Sequence, residues 1–136
     1  MYGGFSKCAY PVQKFHSDTE RVLAGLLERD ARRWCRPVAG QFNIYYRSGA
    51  NQPEYVPDFV AATADCNLII ETKAANNMEA ADVKAKAEAE AATTWCKHAS
   101  EYSQAQGGKP WKYLLVSHDA VVHNATLAAL ASRFTM

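Results

Sequence analysis

The chain has almost no net charge, because its 136 residues contain 15 lysines and arginines against 14 aspartates and glutamates. It therefore lacks the overall basic field that many nucleic-acid-binding proteins show, and a grip on nucleic acid would need one local basic face or a neighbouring domain. Hydrophobic residues make up 49% of the chain, which is ordinary for a globular protein. We expect residues 1–136 to form one domain with its own core.

Cysteine pairs, long apolar runs and a leader sequence are also missing. The four cysteines are scattered without any Cys-x-x-Cys spacing, which indicates neither a zinc site nor a disulfide framework and favours free thiols in a reducing cytosol. No apolar stretch approaches the roughly 20 residues that a membrane helix needs. The first ten residues lack the basic start and apolar run of a signal peptide. These absences predict a cytoplasmic protein without a membrane partner.

The chain does contain an alternation of helix and strand signals. Ser17 and Glu20 form a capping box, which predicts a first helix that ends near Trp34. Residues 1–14, with two adjacent glycines and a proline, predict a loose lead-in. The remaining patterns predict strands over 41–46, 55–60, 67–73 and 111–117, an alanine-rich helix over 79–104, and a last helix from a cap at Asn124 to Arg133.

This order of elements predicts an α/β fold of the mixed-sheet α+β kind, with an αβββαβ core followed by a C-terminal helix. Three consecutive strands favour an antiparallel meander, and the long helix would then deliver the fourth strand parallel to one of them. The helical spacing predicts that the face of this helix that is buried against the sheet comprises Val83, Ala87, Ala91, Trp95 and Tyr102.

Three charged residues lie at the ends of two of the predicted strands. Asp58 follows Pro57 in the second strand segment, and Glu71 and Lys73 end the third. Glu71 and Lys73 are two residues apart on a strand, so their side chains point to the same face. Charges at the mouth of a buried sheet call for partners, because an unpaired buried charge is costly. The residues alone leave two interpretations: a catalytic cluster, or an ion pair between Glu71 and Lys73 at a strand end.

The residue types suit metal-assisted hydrolysis of a phosphodiester bond. Mg²⁺ or Mn²⁺ takes oxygen ligands and commonly one or two carboxylates, which Asp58 and Glu71 could supply, and the carbonyl of Thr72 could add a neutral oxygen. Such a cation lowers the pKa of a bound water and neutralises charge on the phosphate. Lys73 could orient that water or share the developing negative charge.

The chain resembles the PD-(D/E)XK nuclease superfamily, the fold of many restriction and repair endonucleases. The resemblance rests on the predicted element order and on four motifs that are similar to the endonuclease domain of type III restriction subunits and related DEAD/DEAH-box helicase-nucleases. These motifs are Phe15-x-Ser17-x-x-Glu20, Tyr55-x-Pro57-Asp58-Phe59-Val60, Ile70-Glu71-Thr72-Lys73 and Trp95-Cys96. Many relatives carry glycine directly after the lysine, where this chain has Ala74.

The resemblance implies a metal-dependent DNA endonuclease domain of a restriction-modification type of system. Asp58 and Glu71 would bind the metal, Lys73 would be the catalytic lysine, and Glu20 would be the first-helix acid that approaches the metal or its waters. The capping box is an equally good explanation of Glu20. The alternative function is an inactive nuclease-fold module that binds nucleic acid or docks a partner.

The resemblance also implies DNA and a helicase or translocase as partners, together with a modification subunit in some systems. The chain has no Gly-x-x-x-x-Gly-Lys-Ser/Thr loop, so we expect a fragment of a larger helicase-nuclease or a free-standing relative that works with a separate translocase. Lys84 and Lys86 open the long helix near the predicted site and are candidate DNA-phosphate contacts. They also form i,i+4 pairs with Glu88 and Glu90, which is the ordinary pattern of a solvated helix face.

Overall fold

A four-stranded mixed sheet forms the centre of the computed structural model, which describes residues 6–8, 17–74 and 83–136. Three α-helices lie in this described part of the chain, α1 and α3 against one face of the sheet and α2 against the other. The elements are α1 (Asp18–Asp30), β1 (Arg33–Cys35), β2 (Ile44–Tyr45), β3 (Glu54–Tyr55), β4 (Phe59–Ala62), β5 (Asn67–Lys73), α2 (Val83–Ala105), β6 (Trp111–Ser117), a 3₁₀ turn (His118–Ala120) and α3 (Leu127–Phe134).

The strands follow the order β1-β4-β5-β6 across the sheet. β1, β4 and β5 pair antiparallel, whereas β6 pairs parallel with β5 over its whole length, from Asn67 opposite Trp111 to Lys73 opposite Ser117. The predicted mixed sheet and the predicted parallel pairing of the last strand are therefore confirmed. β2 and β3 form a separate two-stranded ribbon, with Ile44 opposite Tyr55.

The first strand of the sheet lies where the sequence predicted the end of the first helix. α1 begins as predicted, because the Ser17 hydroxyl accepts a hydrogen bond from the amide of Glu20. It ends at Asp30 rather than near Trp34, and the chain continues directly into β1. The Trp34 ring lies 5.9 Å from the ring of Phe59 in the core, so tertiary packing draws this segment into the sheet. The predicted strand over 41–46 is reduced to the ribbon strand β2 and does not join the main sheet.

Two apolar layers cover the two faces of the sheet. The layer under α1 and α3 includes Phe59, Ile70 and Leu114, and the layer under α2 includes Ile69 and Tyr113. Successive residues of β5 alternate between the two layers, as the period of a strand requires. Both faces of β5 are therefore buried, which explains its nearly continuous apolar sequence.

α2 packs on the sheet through a face that matches the predicted one only in part, because Ala91 and Trp95 of the predicted stripe pack against the layer under the helix. Its buried residues are Ala89, Ala92 and Cys96, whereas Val83 and Tyr102 of the predicted stripe are 81% and 73% exposed. Small side chains at the contact let the helix axis approach the sheet closely, and the two ends of the helix extend beyond the sheet. Residues 79–82, which the sequence assigned to the start of this helix, lie outside the described residues.

Two ends of helices depend on local hydrogen bonds. α2 ends before Gly107, whose φ of +79° favours glycine, and the next amide, of Gly108, donates to the carbonyl of Ser103. α3 is capped by the hydroxyl of Thr126, two residues after the predicted cap at Asn124. Among the described residues, no helix is both long enough and apolar enough to cross a membrane.

The described part of the predicted lead-in is bound to the domain by Glu28. Its carboxylate accepts hydrogen bonds from the amides of Ser6 and Lys7, from the Ser6 hydroxyl and from the Trp34 indole. Cys8 then pairs with Trp34 in a parallel bridge and is buried. Residues 6–8 are thus held in place, which corrects the expectation of loose packing for this short stretch, while the rest of 1–14 lies outside the described residues.

This clamp should make the stability of the domain depend on acid pH. Burial raises the pKa of Glu28, but the hydrogen bonds from Lys7, Trp34 and Ser6 outweigh it and lower the pKa from 4.5 to about 2. The unfolded chain binds the proton first, so the contribution is complete above pH 4.5 and is lost as the pH falls towards 2. We expect Glu28→Ala to lower the free energy of unfolding by about 1–2 kcal/mol at neutral pH, as measured by denaturant titration.

Glu90→Ala, which removes an exposed glutamate of α2, is the matched control and should change stability little. A difference between Glu28→Ala and the wild type that stayed constant from neutral pH to the acid limit would contradict this account of the clamp.

Candidate metal centre

The candidate centre lies at the end of the sheet where β4 begins and β5 ends. Phe59 of β4 is opposite Ile70 of β5, and continuing that antiparallel register places Thr72 opposite Pro57. Proline has no amide proton and cannot continue the ladder. The amide and the hydroxyl of Thr72 both donate to the Oδ2 atom of the Asp58 carboxylate, each at 2.9 Å, so this side chain takes the place of a backbone acceptor at the end of the ladder.

Glu71 lies beside Asp58 and is held by the same kind of contact. Its Oε1 atom accepts from the backbone amide of Asp58 at 3.2 Å and from the hydroxyl of Tyr55 at 2.8 Å. Its Oε2 atom lies 3.8 Å from the Nζ atom of Lys73. The structure therefore brings together the three charged residues that the sequence singled out.

The two carboxylates share one arrangement, in which one oxygen is anchored and the other is left for a further partner. Within the described residues, Oδ1 of Asp58 accepts no hydrogen bond, and Oε2 of Glu71 has only the ion pair with Lys73. An anchored carboxylate cannot rotate freely, so its second oxygen is presented in a fixed direction. This is a suitable arrangement for two oxygen ligands of one hard cation.

Burial and mutual repulsion raise the pKa of Glu71. The Glu71 side chain is only 13% exposed, and desolvation together with the charge of Asp58 raises its pKa from 4.5 to about 7, although Tyr55, Lys73 and the Asp58 amide act in the opposite direction. The ionised form of Glu71 is therefore disfavoured, even with Lys73 beside it. A bound cation would supply the missing positive charge.

The oxygens of Asp58 and Glu71 fit Mg²⁺ or Mn²⁺ if water molecules and other oxygen ligands complete the coordination. No group of three or more His, Cys, Asp or Glu side chains that could hold a metal ion occurs in the described ranges. One or two carboxylates are nevertheless the usual protein share of a magnesium site. The amide and carbonyl of a strand residue point to the same side, so the Thr72 carbonyl faces the side of Asp58, where the sequence had placed a neutral ligand.

Glu20 lies near the centre but does not contribute its carboxylate to the pair formed by Asp58 and Glu71. Its carboxylate is buried against Arg36, with Oε1 2.5 Å from a guanidinium nitrogen. The Arg36 guanidinium in turn lies over the ring of Phe59, 5.3 Å from its centroid. Glu20 therefore lies close to the residue that follows Asp58, but it does not join Asp58 and Glu71 in a three-acid group.

Lys84 and Lys86 are exposed residues in the first turns of α2. Among the hydrogen bonds and ion pairs of the described residues, none joins either lysine to Asp58 or Glu71. Their predicted role as DNA-phosphate contacts remains a prediction.

Three further residues near the centre were not indicated as site residues by any pattern in the sequence. Tyr55 and Tyr113 are buried, and their hydroxyls lie 3.0 Å apart. Burial raises the pKa of Tyr113 well above its ordinary value, and the charges of Glu71 and Glu88 raise it further. Glu88 of α2 therefore acts on the same cluster. A strand tyrosine three residues before Asp58 was the one available signal, whereas the contribution of Tyr113 depends on tertiary structure.

No protein-family model, curated protein or solved structure matches the chain. The interpretation of this centre therefore depends on the geometry and chemistry of its own residues.

The raised pKa of Glu71 gives a testable result for the metal-free protein. The folded chain keeps a proton on Glu71 up to a pH of about 7, whereas the unfolded chain loses it near 4.5, so stability should fall as the pH rises between these values. Glu71→Gln removes the charge and keeps an oxygen acceptor. In chelator above this window we expect it to be more stable than the wild type by about 1–3 kcal/mol, measured by denaturant unfolding.

Below the window the advantage should vanish, because the wild-type carboxyl is then protonated in both states. Glu90→Gln serves as the control for loss of an exposed carboxylate. A Glu71→Gln variant less stable than the wild type at every pH would show that the carboxylate contributes to the fold instead of straining it.

Proposed function

We propose that the chain is a metal-dependent DNA endonuclease domain that uses Mg²⁺ or Mn²⁺ to hydrolyse phosphodiester bonds. The observation that carries the proposal is the pair of anchored carboxylates, Asp58 and Glu71, with one oxygen of each left open and Lys73 beside them. We include in the proposal that the sheet and its flanking helices form a restriction-endonuclease-like core. A helicase or modification partner would select the target.

Each residue of the centre has a chemical task in this proposal. Asp58 and Glu71 hold the cation, which would lower the pKa of a water molecule and neutralise charge on the scissile phosphate. Lys73 has its ammonium 3.8 Å from Glu71 and can donate a proton in a hydrogen bond to that water or to a phosphate oxygen. Stabilising charge that develops in the transition state is the largest contribution such a group makes.

A basic groove beside β1 and β4 supports a nucleic-acid substrate. The groove has a volume of about 610 Å³, and its lining includes Lys7, Arg32 and Arg33 but no acidic residue. Its lining includes Ala62, the last residue of β4, which is four residues along the chain from Asp58 and thus about 13 Å away in an extended strand. A DNA strand that reaches the centre could therefore also contact these cations. This local surface would provide the positive charge for binding DNA that the chain as a whole lacks.

Cleavage of plasmid DNA tests the catalytic assignment. We expect the domain to nick plasmid DNA with Mg²⁺ or Mn²⁺, and Lys73→Ala or Asp58→Asn to lower the rate by about 100-fold or more. Asn at position 58 keeps an oxygen for the Thr72 bonds, so the fold should be retained. Lys97→Ala, which removes an exposed lysine of α2, is the control and should keep full activity.

Equal cleavage in chelator, or undiminished cleavage by both variants, would reject the mechanism. An isolated domain can also be silent without its translocase, and calorimetry then decides. Mn²⁺ should bind the wild type and bind far less well to Glu71→Ala. A wild type that neither cleaves nor binds Mn²⁺ would favour the alternative, a nuclease-fold module without catalysis.

The salt dependence of DNA binding tests the groove. Each phosphate contact adds about one unit to the slope of log K against log salt. We therefore expect the double variant Arg32→Ala/Arg33→Ala to weaken DNA binding and to reduce the slope by about 2. The double variant Lys84→Ala/Lys86→Ala tests the other predicted contacts in the same titration and should have a smaller effect. An unchanged slope in the arginine variant would exclude the groove as a DNA contact.

A further inference from the structure

Three elements that are distant in sequence bring three side chains into one chain of hydrogen bonds. Tyr55 comes from β3 of the ribbon, Glu71 from β5 and Tyr113 from β6. The Tyr55 hydroxyl lies 2.8 Å from Oε1 of Glu71 and 3.0 Å from the Tyr113 hydroxyl. Both tyrosines are almost fully buried, at 3% and 2% exposure. Their rings meet edge to face with centroids 6.4 Å apart, which fixes the positions of both hydroxyls.

The direction of the hydrogen bonds follows from the number of protons. The Oε1 atom of Glu71 accepts from the Tyr55 hydroxyl, and each phenol has a single proton. Tyr55 therefore donates its proton to Glu71, and the Tyr55 oxygen must accept the proton of Tyr113. The chain runs one way, from Tyr113 through Tyr55 to Glu71, and each bond polarises the next.

The last of these hydrogen bonds, from Tyr55 to Glu71, determines which oxygen of Glu71 remains open. With the Tyr55 hydroxyl and the Asp58 amide both on Oε1, the carboxylate is held at one atom from two directions. The last side-chain torsion of a glutamate is otherwise broad. Fixing it leaves Oε2 on the side of Lys73, 3.8 Å from its ammonium.

Two buried phenols are not needed to fill this space, because phenylalanines would pack there without polar atoms. Replacing both partners of a buried hydrogen bond by apolar groups of the same shape is often nearly neutral for stability. The hydroxyls therefore point to a requirement of the carboxylate rather than of the core.

We propose that Tyr55 and Tyr113 are positioning residues that orient Glu71, so that its Oε2 atom and the free oxygen of Asp58 face one divalent cation. The consequence of this inference, the binding of the cation, rests on the proposed function. Its premise, the fixed orientation of Glu71, is a property of the metal-free protein and can be measured separately.

The first experiment measures the orientation of Glu71 without metal. NMR of protein with labelled glutamate side chains should show one Glu71 rotamer in the wild type and averaging between rotamers in Tyr55→Phe. Tyr45→Phe, at an exposed position of the same ribbon, is the matched control and should leave the Glu71 signals unchanged. A single unchanged Glu71 rotamer in Tyr55→Phe would overturn the inference, whether or not the protein binds metal.

The second experiment measures the dependence on Mn²⁺. Loss of a residue that orients a ligand commonly costs about 10- to 100-fold in metal affinity, so we expect a loss of that size for Tyr55→Phe in calorimetry and a smaller one for Tyr113→Phe. If the wild type cleaves DNA, the half-saturating Mn²⁺ concentration should rise in parallel, while the rate at saturating Mn²⁺ recovers most of its wild-type value.

The outcomes separate the two proposals. Unchanged Mn²⁺ affinity and unchanged half-saturation in Tyr55→Phe would overturn the positioning role and leave the metal site intact. A wild type that shows no Mn²⁺ binding, together with rotamer averaging in Tyr55→Phe, would overturn the proposed function and keep the orienting role. A purely structural role for Tyr55 would lower the yield of active protein at every Mn²⁺ concentration without shifting the half-saturation point, and that result would also overturn the inference.

Discussion

The centre depends on the two hydrogen bonds that join Asp58 to Thr72 at the end of the sheet. Pro57 has no amide proton to donate to the strand beside it, and the Asp58 carboxylate is the acceptor for both polar protons of Thr72. The same bonds that close the end of the sheet also fix one oxygen of the Asp58 carboxylate. This arrangement completes the strand pairing with the Asp58 side chain and presents an acidic group in a fixed direction. The positions of Glu71 and Lys73 follow from it through the register of β4 and β5.

The placement of Glu71 is unfavourable for a protein that has no further need of it. Its carboxylate is largely buried, next to a second carboxylate, and its pKa is raised to about 7 as a result. Lys73 offsets the negative charge of Glu71 only in part, because its Nζ atom lies 3.8 Å from Oε2 and its side chain is 22% exposed. Natural proteins tolerate such sites where function requires a poised group, and they are stabilised elsewhere. In this chain the compensation comes from the buried layers on both faces of the sheet.

The parts of the fold that could be predicted from the sequence are those with a local signal. The cap at Ser17 and the apolar run of β5 each act within a few residues, and each was confirmed. The three-residue strand β1 has no such signal, because a strand this short shows no usable alternation and is made by the packing of Trp34. The buried side of α2 was predicted only in part for a related reason, since its residues contact the sheet only where the sheet lies beneath them.

The same distinction applies to the candidate centre. The carboxylates and the lysine could be predicted because they lie on two strands that are consecutive in the chain. The hydrogen bonds that link Tyr113 and Tyr55 to Glu71 could not be predicted, because Tyr55 and Tyr113 are 58 residues apart and belong to different sheets. Their contact exists only after the ribbon and the last strand have both packed against β5. Patterns in the sequence thus located the charged atoms, whereas the hydrogen bonds that orient them required the folded structure.

The turn between β4 and β5 has a consequence for how the protein folds. Thr63 closes this turn through its amide and hydroxyl, both of which bond to the carbonyl of Cys66, so residues 58–73 form a hairpin whose contacts are short in range. Contacts of this kind form early, while the parallel pairing with β6 must wait for closure of the long connection that contains α2. The acidic pair would then assemble first in a loosely oriented state, and the arrival of Tyr113 would be among the last steps that make it rigid.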